Sequence, residues 1–266
     1  MFGAENLPIG FVIQEVIQET PTIKTFVLQG NLQFQPGQFV MAWLPRVEEK
    51  PLALWRLRSA EIRLAIAEVG PCSRGFCQLE AQQRIFLRGP FGRGFRQMGA
   101  KKIVAVGGGF GVAPLLNFGQ RQAGVTVDFI IGARTQEQLF GVEYARKFGR
   151  RIYLTTDDGS AGRKGRTAEV LAEVLGQAKV DLVVACGPER MLVAVAEVCA
   201  QQKIACQLSM ERMMKCGFGV CGACAVDQTG LLVCRDGPIF TGEQVLRSVE
   251  FGNYKRDGLG QRVKLG

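Results

Sequence analysis

Between Lys101 and Leu208, apolar runs of strand length (KIVAVGG, VTVDFIIG, RIYLTT, DLVVACG, KIACQLS) alternate with segments of helical period (APLLNFGQRQ, QEQLFGVEYARKF, GRTAEVLAEVLGQ, ERMLVAVAEVCAQQ). Strands separated by helices cannot pair as hairpins; each crossover returns the chain to the end it left, and the result is a parallel sheet wrapped by helices. The stretch before Arg88 follows a different rule. Its short runs rich in Val, Ile, Phe and Thr (FVIQEVIQ, TIKTFVLQ, QFVMAWL, EIRLAIAEV, RIFLR) are broken by turn signals such as Gln35-Pro36-Gly37-Gln38, which predicts a small antiparallel β-barrel or sandwich. From Met210 onward the periodicity gives way to Gly and Cys and then to a polar, Gly-rich tail. The chain is expected to be multi-domain: an antiparallel β-barrel over 1–98, an α/β parallel-sheet domain over 99–208 and a small C-terminal domain over 209–266. Its 266 residues are enough for well-buried cores.

Four of the nine cysteines crowd into KCGFGVCGACAVDQTGLLVC, with four residues between Cys216 and Cys221, two between Cys221 and Cys224, and nine between Cys224 and Cys234. The first two gaps match the spacing C-x4-C-x2-C of plant-type ferredoxins, followed by a more distant Cys. A two-iron cluster needs two thiolates per iron from a loop tight enough to wrap it, and Gly217, Gly219 and Gly222 supply that backbone freedom. Structural zinc is the competing reading, since four thiolates also close a tetrahedral site, but zinc ribbons present two C-x2-C pairs and this segment has one. The spacing therefore favours a [2Fe-2S] cluster on Cys216, Cys221, Cys224 and Cys234. Of the other five, Cys77, Cys199 and Cys206 read as small buried hydrophobes.

Composition narrows the chemistry further. The chain has no His, so any metal relies on thiolates or carboxylates. Its net charge of +9 is scattered rather than gathered into a block, and three Tyr and two Trp offer little to stack on bases, which argues against nucleic acid. No run of about 18 apolar residues appears, so a membrane span is not expected. The opening MFGAENLPIGFVIQEV lacks a basic region before an apolar stretch, so a cytoplasmic protein with reduced thiols is expected.

After the strand KIVAV comes Gly107-Gly108-Gly109-Phe110-Gly111-Val112-Ala113-Pro114 and then a helix. A strand, a Gly-rich turn and a helix N-terminus form an anion site, although the dinucleotide fingerprint would place Gly where Val112 stands. Ala185-Cys186-Gly187-Pro188-Glu189-Arg190 falls on the same carboxyl edge of the predicted sheet, where ligands of open parallel sheets bind. In the first domain, Glu49 to Leu54, Val69 to Ser73 and Arg88 to Phe95 read equally well as ordinary turns.

Taken together, PGQFVM, EKPLAL, RGPFGRGF, VGGGFGVAPLL, GARTQEQL, TTDDGSAGRKG, ACGPERML and SMERMMKCGFGVCGAC with VCRDGPIF resemble the ferredoxin-NADP reductase superfamily, and more closely the electron-transfer subunits of NAD-linked dihydroorotate dehydrogenases. The resemblance implies an FAD between the barrel and a nicotinamide-binding domain, with NAD as substrate, and a C-terminal [2Fe-2S] cluster. It also implies a partner subunit holding FMN and the dihydroorotate site, two of each subunit forming a heterotetramer. Residue by residue, Lys50, Pro51, Leu52, Ala53 and Leu54 match the flavin motif Arg-Pro-x-Ser and its flank, Ile66, Ala67 and Glu68 fall among the flavin-side positions, and Cys72 with Ser73 match a Gly-Thr pair at the FAD phosphates. Gly107, Gly109, Gly111 and Pro114, with Cys186, Gly187 and Pro188, match the nicotinamide-side motifs. Two departures stand out: Lys50 loses the bidentate fork of an Arg, and Ala53 lacks the hydroxyl expected beside the flavin. Similar subunits serve ferredoxin-NADP transhydrogenases, sulfhydrogenases and sulfite reductases; Cys234 rather than Asp as fourth ligand favours the dihydroorotate system. Arg134, after the second strand of the sheet, leaves NAD against NADP open.

Overall fold

The computed structural model describes residues 7–120 and 124–265. The first six residues, part of the reading against a secretion signal, lie outside the described residues, as do the last two positions of APLLNFGQRQ and the terminal Gly266. The first unit is a closed antiparallel barrel of β1 (Ile9–Thr20), β2 (Ile23–Gln29), β3 (Phe39–Leu44), β4 (Glu48–Trp55), β5 (Glu61–Ala67) and β6 (Arg84–Phe91), in the order β1-β2-β5-β4-β3-β6. Period-2 alternation turns Val40 and Ala42 of β3 into the barrel and Phe39, Met41 and Trp43 outward. The short helix α1 (Pro71–Cys77) adds Cys72 and Phe76 to the barrel core.

β4 corrects the reading of Glu49 to Leu54 as a turn. Proline is tolerated within a strand where one flank is free of ladder bonds. β4 pairs with β3 along Glu48–Ala53 but with β5 only at Leu54 and Trp55, so Pro51 sits beside an open flank. Lys50 to Ala53 therefore lie along a flank of β4 that carries no ladder to β5.

The second unit runs β7 (Lys102–Gly108), α2 (Val112–Gln120), β8 (Thr126–Ala133), α3 (Val142–Phe148), β9 (Arg151–Thr156), β10 (Arg163–Lys164), α4 (Thr167–Gln177), β11 (Leu182–Cys186), α5 (Glu189–Gln201) and β12 (Ala205–Ser209). The expected helix over QEQLFGVEYARKF is two pieces, a single 3-10 turn at Gln136–Gln138 and α3, separated at Gly141, whose φ is 79°. The last stretch contains α6 (Val233–Asp236), β13 (Ile239–Thr241), α7 (Gly242–Leu246) and a hairpin of β14 (Tyr254–Arg256) with β15 (Arg262–Lys264). β13 joins the sheet of the second unit, whose order is β10-β9-β8-β7-β11-β12-β13; it alone is antiparallel to its neighbour.

Each face of this sheet is covered by a core that reaches the barrel. On one face Val106, Ile130, Leu171 and Val195 continue through Met214, Cys224, Val233 and Cys234 to Phe39, Met41 and Phe91 of the barrel wall. On the other, Leu115, Phe118 and Phe129 continue to Ile23, Trp55 and Ala65. Asn117 Oδ1 accepts the Arg56 N–H at 3.0 Å and Gln120 Nε2 donates to the Leu57 carbonyl at 2.8 Å across the second seam. Trp55 packs edge-on against Phe140 and Tyr144, with centroids at 6.4 and 5.1 Å.

Candidate cluster and nucleotide site

The cysteine segment forms a loop with Gly217, Gly219 and Gly222 all at positive φ, conformations that a side chain would strain. Cys224 and Cys234 are buried, Cys216 is half-buried and Cys221 is exposed. Burial pushes the Cys216 thiol up, but the N–H groups of Cys221, Phe218 and Val220 around its sulfur outweigh that and bring it down to about 6. The sulfurs of Cys224 and Cys234 lie 3.2 Å apart. That contact lowers Cys224 to about 7 against the effect of burial, and the same contact pushes Cys234 up, because the pair shares one proton.

Among the described residues no three Cys, Asp or Glu side chains converge on one point for a metal ion. The sulfurs stand in pairs instead, Cys216 beside Cys221 and Cys224 beside Cys234. A zinc ion needs its thiolates within about 2.3 Å of one centre, whereas a two-iron cluster spreads four thiolates over two irons. The donor set fits the two-iron group better than the single ion.

This loop is seated on the barrel. A Cβ on Gly217 would lie 2.8 Å from Met41 Cγ and 3.1 Å from the Phe91 ring, so only glycine allows this approach. Phe218 meets Phe91 at 6.2 Å and Phe91 meets Phe39 at 6.0 Å between centroids. Phe39 and Met41 pair with Ala53 and Pro51 of β4, which brings the cysteine loop next to the flavin-motif strand. Glu49 of that strand is held by Arg88 of β6 through two bonds of 2.7 and 2.6 Å. Sequence reasoning missed this pair; both residues stand in quoted motifs, but 39 positions of separation hide the contact.

Of the flavin-side positions, Lys50 is half-buried and bonds Glu48 at 2.7 Å, and Pro51 and Ala53 face outward with Met41 and Phe39. Leu52, Leu54 and Ile66 turn their side chains to the barrel core, which leaves their backbone to face outward. Ala67 pairs with Ile23, and the Glu68 N–H donates to the Thr22 carbonyl, leaving its carboxylate exposed. Cys72 is buried with its sulfur 3.9 Å from the Glu48 carbonyl, which brings the start of α1 against the start of β4. Burial also pushes its thiol up. Ser73 Oγ accepts the N–H groups of Val69 and Gly70, both at 2.9 Å, and donates to the Gly70 carbonyl at 3.0 Å, so it shapes the turn entering α1.

On the sheet, Cys186 stands in register with Gly107, so the two glycine motifs share one carboxyl edge. A Cβ on Gly111 would fall 2.5 Å from the Cys186 carbonyl oxygen, and the absence of one lets the turn after β7 press against the end of β11. Val112, which stands where the fingerprint asks for Gly, is fully buried and fills the space over Gly107, so the close helix–strand contact is made with the small residue on the opposite partner. Gly109 faces open space at this edge, whereas Pro114 is buried in α2. Gly187 lies against Gly108, and Pro188 is exposed before α5. Burial pushes the Cys186 thiol up to about 12, which keeps it protonated.

Residues 211–246 match the iron-sulfur cluster binding domain of dihydroorotate dehydrogenase B. Over 258 residues, 96% of this chain and 98% of the relative, the sequence is 43% identical to the probable dihydroorotate dehydrogenase B (NAD(+)) electron transfer subunit of Methanocaldococcus jannaschii. The same-named protein of Thermococcus kodakarensis is also 43% identical, over 88% of this chain and 96% of its own. Among solved structures, that of an NADH-dependent reduced ferredoxin-NADP oxidoreductase superposes with a TM-score of 0.80 at 25% identity, over 91% of this chain and 90% of that one. With this identity along nearly its whole length, the chain belongs to the family of electron transfer subunits of dihydroorotate dehydrogenase B (NAD(+)).

Proposed function

We propose that this chain carries electrons between a partner subunit that oxidises dihydroorotate on FMN and NAD, for pyrimidine biosynthesis, as one half of a heterotetramer with two of each subunit. Cys216, Cys221, Cys224 and Cys234 hold a [2Fe-2S] cluster, β4 with the start of α1 holds FAD, and the edge of β7 and β11 receives the nicotinamide. When bound, FAD exchanges a hydride pair for single electrons and the cluster carries those singly. The observation that carries this reading is the seating of Gly217 and Phe218 on Met41 and Phe91, one strand away from Pro51 and Ala53.

The chain's own residues bind and orient. Lys50 offers an ammonium at the flavin phosphates beside Cys72 and Ser73, while Pro51, Ala53 and the backbone of Leu52, Leu54, Ile66, Ala67 and Glu68 line the flavin side. Gly107, Gly109, Gly111 and Pro114, with Cys186, Gly187 and Pro188, shape the nicotinamide edge. The N–H groups around Cys216 favour its thiolate and offer hydrogen bonds to the cluster. The ranges 1–98, 99–208 and 209–266 are proposed as units of function; β13 ties the last two together structurally. Among the described residues no helix is long and apolar enough to cross a membrane. A cytoplasmic setting, where thiols stay reduced, suits nine free cysteines.

Purification from the native cell tests the reading. The expected preparation is yellow-brown, contains iron and labile sulfide in equal amounts, and brings down an FMN protein that oxidises dihydroorotate. A colourless zinc protein would refute the cluster, and recovery with a hydrogenase would refute the partner. The likeness to the ferredoxin-NADP oxidoreductase fold favours, as second reading, a corresponding subunit of another redox complex.

A further inference from the structure

Glu189, Arg212 and Glu250 come from separate stretches of the chain and meet in one buried cluster. Arg212, with 3% of its side chain exposed, donates from Nε to Glu250 at 2.5 Å and from Nη1 and Nη2 to Glu189 at 2.7 and 3.2 Å. Burial works against the guanidinium charge, but the two carboxylates hold its pKa above the ordinary arginine range. Each carboxylate also reaches further: Glu250 accepts the Asp227 N–H at 2.6 Å, and Glu189 accepts the Gly252 N–H at 2.7 Å.

The places these groups occupy give the cluster its interest. Glu189 opens α5 directly after Cys186-Gly187-Pro188, at the edge assigned above to the dinucleotide. Arg212 leads into Met214 and Cys216, and Asp227, which follows Cys224 and Val226, donates its N–H to Glu250, so the stretches that flank Cys216, Cys221 and Cys224 meet at the same cluster. Buried ion pairs add little net stability over apolar residues of equal volume, whereas they fix relative geometry. Apolar residues filling this space would not link the two edges through directional bonds.

We infer that Arg212 is a positioning residue that couples occupancy of the nucleotide edge to the geometry of the cysteine loop. The inference rests on the proposed cluster and dinucleotide sites. A ligand drawing on the N-terminus of α5 displaces Glu189; Arg212 follows it, and Glu250 passes the displacement to Asp227. Coupling of this kind is reciprocal, so the state of the loop also acts on the nucleotide edge.

The test uses the whole chain with its cofactors and ADP-ribose as a redox-inert probe. In the wild type, saturating ADP-ribose is expected to shift the electron paramagnetic resonance of the dithionite-reduced cluster. Arg212→Lys, which keeps the charge but loses the fork, is expected to lose most of that shift while its iron content and ADP-ribose affinity stay within twofold. If that variant does not fold, Glu250→Gln, which keeps an acceptor for the Asp227 N–H, is expected to show the same loss. A full shift in a folded variant, or no shift in wild-type protein that binds ADP-ribose, would overturn the coupling. Loss of iron in step with loss of signal would reduce Arg212 to a structural bridge and overturn it too. Wild-type protein without a cluster signal, or without ADP-ribose binding, would instead refute the functional reading beneath it.

Discussion

Cys216 and Cys72 both lie in loop-proximal positions, and their surroundings act on them in opposite directions. Backbone N–H groups bring Cys216 down to about 6, while burial pushes Cys72 up. In cluster-free protein, iodoacetamide is therefore expected to alkylate Cys216 with a midpoint near pH 6 and to leave Cys72 unlabelled at pH 7, as mass spectrometry of the peptides would show. A thiol lowered from 9.0 to about 6 stabilises the folded cluster-free chain above pH 9, and that contribution is lost as pH falls through 6. A denaturant series should thus show cluster-free protein weaker at pH 5.5 than at pH 9, with the difference shrinking in Cys216→Ser. Gly217→Ala places a Cβ 2.8 Å from Met41 at a positive φ, and is expected to cost about 1–3 kcal/mol and to lower iron content, read from the melting temperature and an iron assay.

Elements whose own pattern decides them were readable from the chain. The runs that became β7 and β11 are almost wholly apolar because both faces of the sheet are covered, β8 and β12 depart from that pattern chiefly at Asp128 and Gln207, and the turn at Gly107 to Gly111 lies where a strand end and a helix start require it. β4 was hidden because its first half is polar and contains Pro51; only the open flank beside β5 explains why that sequence is a strand. Likewise Gly141, inside what reads as one helix, turns out to back onto Val112, a contact between elements rather than a local preference. The same reasoning limits the site: the four cysteines and their local pairs follow the spacing, but the Arg212 cluster and the Phe218–Phe91 contact depend on segments brought together from afar. Gly111→Ala tests the nucleotide edge at this scale. Its Cβ would meet the Cys186 carbonyl at 2.5 Å, so β7 and β11 cannot keep their turns in contact. The expected result is a loss of about 1–3 kcal/mol together with weakened NADH oxidation, measured by thermal melting and by diaphorase assay.

Across the described residues, both sheet-face cores join the second unit to the barrel wall, and one of them also takes in the cysteine loop. Leu208 and Cys206 of β12 and Ala196 of α5 are covered by β13 and α7, with Gly242 set against Cys206 and Ala196. A chain ending at Ser209 is therefore expected to bare an apolar sheet edge and to elute as aggregates on gel filtration, even though it keeps the barrel and every parallel strand. β13 also sets an order of events during synthesis. β13 follows every parallel strand in the chain, so the β12 edge stays open until Ile239–Thr241 has been made and has folded back onto it. A nascent chain stalled before Ile239 is thus a better client for a chaperone than the finished protein.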